Sequence, residues 1–216
     1  MNLKAAIKGT SREWLFVYLI FFAHLSLYWL PQINLEWAFS DAIIFFQTGQ
    51  QSLIERYFSN QANTLGISYS SFILAKFLPA LKVEFLPRIF SAMGVILLGS
   101  ALIRLSTILQ MKGSVFLLII LVLTNPLIWV YSGRGTADFL PAAMALFSVS
   151  LLWDKSVGPI GIAAAILTFS MAIILKYHAI ILLPIIWVEA LTRPKVEFRF
   201  VFLRLSIVSA LILLGP

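Results

Sequence analysis

The sequence predicts an all-α, polytopic transmembrane helical bundle of about seven spans, with amphipathic juxtamembrane helices in a long first extracytoplasmic loop. Three observations lead there. Of the 216 residues 61% are hydrophobic and 12% are charged, against roughly 45–50% and about 25% in soluble domains. Apolar runs near the ~20 residues that cross a ~30 Å hydrocarbon core recur along the chain. The basic residues sit in short clusters between those runs, the pattern of loops held on one side of a membrane. The formal net charge of +7 therefore reads as topology, not as a nucleic-acid surface. With no cysteine in the chain, disulfides and thiolate metal sites are excluded.

Taken in order, Lys4, Lys8 and Arg12 precede the run Trp14–Leu30, the charge order of a signal peptide without a small-residue cleavage site, so a retained anchor is expected. Further spans are expected at Ile89–Leu109, Ser114–Tyr131, Thr136–Trp153, Val157–Leu175, Tyr177–Leu191 and Phe200–Leu214. The sixth is short and carries Pro184. The run ending at Pro216 has no polar tail, so a chain cut short at its carboxyl end is expected, the whole of 1–216 forming one transmembrane module.

The stretch Ile67–Leu81 is apolar, but Lys76, Pro79 and the following Lys82 and Glu84 argue against a crossing. Loop charge arbitrates. If the stretch stays outside, ten of the 16 Lys and Arg fall on the amino-terminal side and six on the other. If it crosses, the bias vanishes. Residues 31–87 then form one extracytoplasmic loop, with interfacial helices expected at Asp41–Phe58 and Ser68–Leu81. The amino terminus is expected in the cytoplasm.

In this topology Asp41, Arg88, Arg134, Asp138 and Lys176 share one face of the membrane, with His178 beside them. Ionisable groups near hydrocarbon cost about 2.5–3.5 kcal/mol each on insertion, so a cluster of them faces water or an anionic ligand. Asp41, after Ser40, reads equally as a helix cap or a general base. Asp138 lies in Ser132-Gly133-Arg134-Gly135-Thr136-Ala137-Asp138 and is placed one turn into the fourth span, with Arg134 either neutralising it or binding ligand. Lys176 and His178 interrupt an apolar stretch; the alternatives are a phosphate-binding pair and a loop tip. His178 alone does not make a metal site, and His24 in the first span reads as a packing residue.

This order of features resembles the GT-C superfamily, membrane glycosyltransferases that use polyprenyl-phosphate sugars and include protein mannosyltransferases and the aminoarabinose transferase. The resemblance rests on the acid-bearing first loop (Trp37-Ala38-Phe39-Ser40-Asp41), the Gly66-Ile67-Ser68-Tyr69 approach to the second juxtamembrane helix, Pro87-Arg88-Ile89-Phe90-Ser91-Ala92 opening the second span, and the Ser-Gly-Arg-Gly-Thr-Ala-Asp stretch. It implies transfer of a sugar from a polyprenyl-phosphate donor to a lipid, glycan or protein acceptor, with inversion. Asp41 then falls on the base and Asp138 on the later acid, while Arg88, Arg134, Lys176, His178 and Tyr69 fall at the lipid phosphate. Some members use a divalent cation, Mg2+ or Mn2+; here no cofactor is fixed by the residues. The location implied is a bacterial inner membrane, part of the cell envelope, with the site extracytoplasmic. Two other classes remain open: a transporter or lipid flippase subunit, for which discontinuous helices at mid-membrane would speak, and a noncatalytic scaffold subunit.

Overall fold

The computed structural model describes residues 10–29, 73–79, 85–111, 115–133 and 138–191. Among the described residues every regular element is helical: α1 Ser11–Trp29, α2 Phe85–Ile108, α3 Val115–Leu123, α4 Pro126–Gly133, α5 Phe139–Trp153, α6 Pro159–Leu175, a 3-10 segment Tyr177–Leu182, and α7 Leu183–Leu191. Residues 73–77 are also helical and present exposed Ile73 and Phe77, within the second expected juxtamembrane helix. The first juxtamembrane helix and the seventh expected span lie outside the described residues.

Local chemistry sets the helix ends. Thr10 and Glu13 exchange hydrogen bonds at the start of α1, Thr10 N–H to Glu13 Oε2 at 2.7 Å and Glu13 N–H to Thr10 Oγ1 at 3.4 Å, a capping box that occupies two amide donors no helical carbonyl reaches. α2 closes with Gln110 in the left-handed region (φ 49°), Met111 N–H reaching back to the Ser106 carbonyl at 3.0 Å. Glycine usually fills that position because a Cβ there crowds the backbone. Replacing Gln110 by Gly is expected to stabilise the protein by about 1 kcal/mol, read as a higher Tm in detergent.

Two of the expected spans are discontinuous. The third, Ser114–Tyr131, is two helices parted at Thr124–Asn125. Pro126 has no N–H and Asn125 Oδ1 accepts the Leu127 N–H at 2.9 Å, so Asn125 caps a new helix with proline in its first position. The sixth, Tyr177–Leu191, is a 3-10 turn followed by α7, with Pro184 in the first turn of α7, where its missing donor is tolerated. The second expected span is continuous: Ile89–Ile108, 20 residues of mean hydropathy 1.9, is long and apolar enough to cross a membrane. α5 and α6 are shorter apolar helices of 15 and 17 residues.

α2 lies at the centre, packed against α1, α3, α4 and most extensively α5, which in turn carries α6. One cluster joins Val17, Val95, Ile103, Ile119 and Phe139; the other joins Met144, Leu152, Ile162, Phe169 and Ile186. Close approach depends on two glycines of α2. A Cβ on Gly94 would sit 2.7 Å from the Phe139 ring and 3.3 Å from Leu140 Cα, and one on Gly99 would sit 2.6 Å from Val17 Cγ2. Gly94→Val is therefore expected to cost about 1–3 kcal/mol by overpacking, measured as a lower Tm. A valine variant as heat-stable as the parent would contradict this packing. Between helices, Ser148 Oγ donates to the Ala165 carbonyl at 2.7 Å and Ser91 Oγ to the Tyr131 carbonyl at 2.9 Å, small polar contacts of the kind that hold helices together where lipid gives no hydrophobic drive.

Among the described residues, the outward faces of α1 and α6 are largely apolar. Leu15, Leu19 and Phe22 on α1 are exposed, as are Ile160, Leu167, Met171 and Ile174 along one side of α6. The buried sides of the same helices are equally apolar, so neither helix shows the polar outer stripe of a water-facing helix.

Candidate functional site

Asp138 and Lys176 meet. Asp138 immediately precedes α5 as its N-cap (φ −94°, ψ −40°), and Lys176 follows α6 as its C-cap in an extended conformation (φ −154°, ψ 116°). α5 and α6 are joined by the short turn 154–158 at their other ends and pack antiparallel, which brings the start of one beside the finish of the other. The Lys176 ammonium donates to Asp138 Oδ1. Each charge also sits at the helix end whose dipole favours it, an anion at the positive N-terminus and a cation at the negative C-terminus. The lysine side chain is 16% exposed and the carboxylate 53%, so the ammonium is sheltered and the acid faces outward.

This corrects one expectation. Asp138 does not sit a turn inside the fourth span: the helix begins one residue later, at Phe139. Its partner among the described residues is Lys176, while Arg134 lies outside them. The sequence separation of 38 residues hid the pairing; only the antiparallel return of α6 along α5 creates it.

Arg88 lies in the first turn of α2. Its backbone is at the same end of the bundle as Asp138, because Gly94, six residues further along α2, abuts Phe139 and Leu140. His178 is exposed in the 3-10 segment directly after Lys176. Asp41 and Tyr69 fall outside the described residues, so four of the seven expected site residues (Arg88, Asp138, Lys176 and His178) are placed, all toward one end. No group of three His, Cys, Asp or Glu able to hold a metal ion occurs among the described residues.

The opposite end carries ionic contacts that the loop-by-loop reading did not single out. Arg104 Nη2 donates to Asp154 Oδ2 at 2.9 Å, with side chains 2% and 5% exposed. Asp154 also accepts from Ser156 N–H at 3.0 Å and Ser156 Oγ at 2.6 Å through Oδ1, which fixes the turn into α6. Lys155 pairs with Glu189 on α7. A cavity of about 270 Å³ lies beside that pair, lined by Trp153, Pro184, Ile185, Val188 and Glu189, away from Asp138 and Lys176. One sequence signal pointed to the buried pair: Arg104 is the arginine about one turn inside an otherwise uncharged 20-residue span, and Asp154 ends another span on the same expected side.

No family model matches the chain, and no curated protein or solved structure matches it either.

Proposed function

We propose that the chain is an integral membrane glycosyltransferase of the GT-C type, or its amino-terminal module, with about seven spans, a cytoplasmic amino terminus and an extracytoplasmic site. The observation that carries this reading is the Asp138–Lys176 pair, formed at the end of the bundle where α2 begins, Arg88 lying in its first turn. A sugar on a polyprenyl phosphate is already activated. Transfer needs a base to take the proton of the acceptor hydroxyl as its oxygen bonds to C1, and cations to stabilise the negative charge on the phosphate oxygen that keeps the electron pair of the breaking C1–O bond. Asp41 is assigned the base. Lys176, with Arg88 and Arg134, receives the phosphate, His178 and Tyr69 bordering it. Attack opposite the leaving phosphate, by a single base without a covalent nucleophile, inverts the anomeric centre. Asp138 positions Lys176 and is displaced from it when the stronger anion arrives. A divalent cation, Mg2+ or Mn2+, would assist the same leaving group.

The test compares Lys176→Ala and Lys176→Arg in membranes supplied with labelled polyprenyl-phosphate sugars. Loss of the cation is expected to lower transfer about tenfold or more, through a raised KM for the donor, with partial recovery in the arginine variant. Unchanged transfer in Lys176→Ala would remove the residue from the site.

One observation favours a second reading, a transporter or lipid flippase subunit: the helix break at Thr124–Asn125 within the third expected span, since discontinuous helices serve cargo sites in such proteins. Against it, the break is flanked by exposed Leu121 and Leu127, an apolar wall poorly suited to a polar cargo.

A further inference from the structure

Asp138 occupies the N-cap of α5, yet its side chain makes no capping hydrogen bond. A cap side chain ordinarily accepts from the second or third amide of its helix. Here the third residue is Pro141, which has no N–H, so Leu140 alone offers the usual donor. The carboxylate turns instead to the Lys176 ammonium. The two partners are unequally covered, the lysine side chain 16% exposed and the carboxylate 53%. An anion that reaches Lys176 from water therefore meets Asp138 on the way.

Once displaced, Asp138 cannot retreat far. Its carbonyl accepts the Ala142 N–H at 3.2 Å, and the next residue, Phe139, is buried with its ring against Gly94. A short side chain on a backbone held in this way keeps its charge beside whatever Lys176 binds. The repulsion then grows with the charge of the bound anion.

Sugar transfer changes that charge. A polyprenyl-phosphate sugar is a phosphodiester with one negative charge. As the C1–O bond breaks, the phosphate oxygen keeps the electron pair and the acceptor proton goes to the base, so the lipid is left as a phosphate monoester carrying about 1.5–2 negative charges near pH 7. Cations alone would hold this product more tightly than the donor and slow the next turnover. A fixed carboxylate among them opposes that bias.

We propose that Asp138 sets the charge preference of the site, lowering its affinity for a phosphate monoester more than for a phosphodiester and so releasing the spent lipid phosphate after transfer. The proposal rests on Lys176 receiving the lipid phosphate, as read above.

The test measures binding of farnesyl phosphate, a monoester, and methyl farnesyl phosphate, a diester, to the full chain in lipid nanodiscs at about pH 8, where the monoester is a dianion. In Asp138→Asn the affinity for the monoester relative to that for the diester is expected to rise about threefold to tenfold, the effect of one extra unit charge close to a half-exposed carboxylate. Asp138→Glu keeps the charge and should keep the ratio of the parent. Asp138→Ser serves if the asparagine variant fails to fold. Loss of the contact that orients Lys176 would weaken both ligands together and leave the ratio alone, so the ratio reads charge and not positioning. In transfer assays the neutral variants should show stronger inhibition by added polyprenyl phosphate relative to their donor KM. A ratio unchanged in both neutral variants, or an equal rise in Asp138→Glu, overturns the proposal; weaker binding of both ligands by Lys176→Ala would then leave the phosphate site itself standing. Absence of binding of either phosphate to the parent overturns the proposal together with the lipid-phosphate reading.

Discussion

Arg104→Ala is expected to be the most damaging single substitution in the helical bundle, costing about 3–5 kcal/mol. The guanidinium and the Asp154 carboxylate are almost completely sequestered, at the junction of α2, α5 and the turn into α6. Removing the cation leaves an anion without its counter-ion in a low-dielectric interior, and the alternatives, protonation or water penetration, each cost free energy. Folded yield in membranes and Tm in detergent should both fall. The paired replacement Arg104→Met with Asp154→Asn should recover much of the loss, since it removes both charges while the amide oxygen still accepts from Ser156. Equal stability of Arg104→Ala and the parent would mean that the ion pair is solvated. Failure of the double variant to improve on the single would mean that packing of the arginine stem, not charge, is what matters.

The largest catalytic effect is expected at Asp41. Under the proposed mechanism its carboxylate takes the proton of the acceptor hydroxyl, a contribution worth about 10²–10⁴-fold in rate. Asp41→Asn keeps the shape and the capping oxygen but not the basicity. Transfer should fall by that factor in kcat while membrane insertion and Tm stay the same. If Asp41 were only a helix cap, asparagine would serve nearly as well, and transfer would be undiminished. The pair of outcomes therefore separates the two readings of this residue. It is also independent of Lys176, whose replacement acts on donor KM.

The position of most helices was legible in the sequence because it depends on local properties. Apolar runs, capping residues and prolines mark α1, α2, α5 and α6 to within a few residues of their expected limits. Thr10 and Glu13 at the start of α1 are a capping box at the spacing such boxes require. The interruptions were written there too, as Asn125-Pro126 and Pro184, but an apolar count over ~20 residues passes over a break that changes hydrogen bonding and not hydropathy. Arg104 and Lys155 contact partners at one end of the bundle, and Asp138 and Lys176 meet at the other.

The sequence by itself determined a helical, lipid-compatible chain with its ionisable groups sorted toward two ends, since hydropathy and charge act through the solvent and need no knowledge of neighbours. Tertiary structure alone decided who pairs with whom: that Lys176 meets Asp138, that Arg104 is neutralised by Asp154, and that Gly94 and Gly99 let α2 seat against Phe139 and Val17. Those choices are set by distances of a few ångströms between segments dozens of residues apart. A Coulomb or packing term falls away over that distance, so only the antiparallel return of the helices brings it into effect.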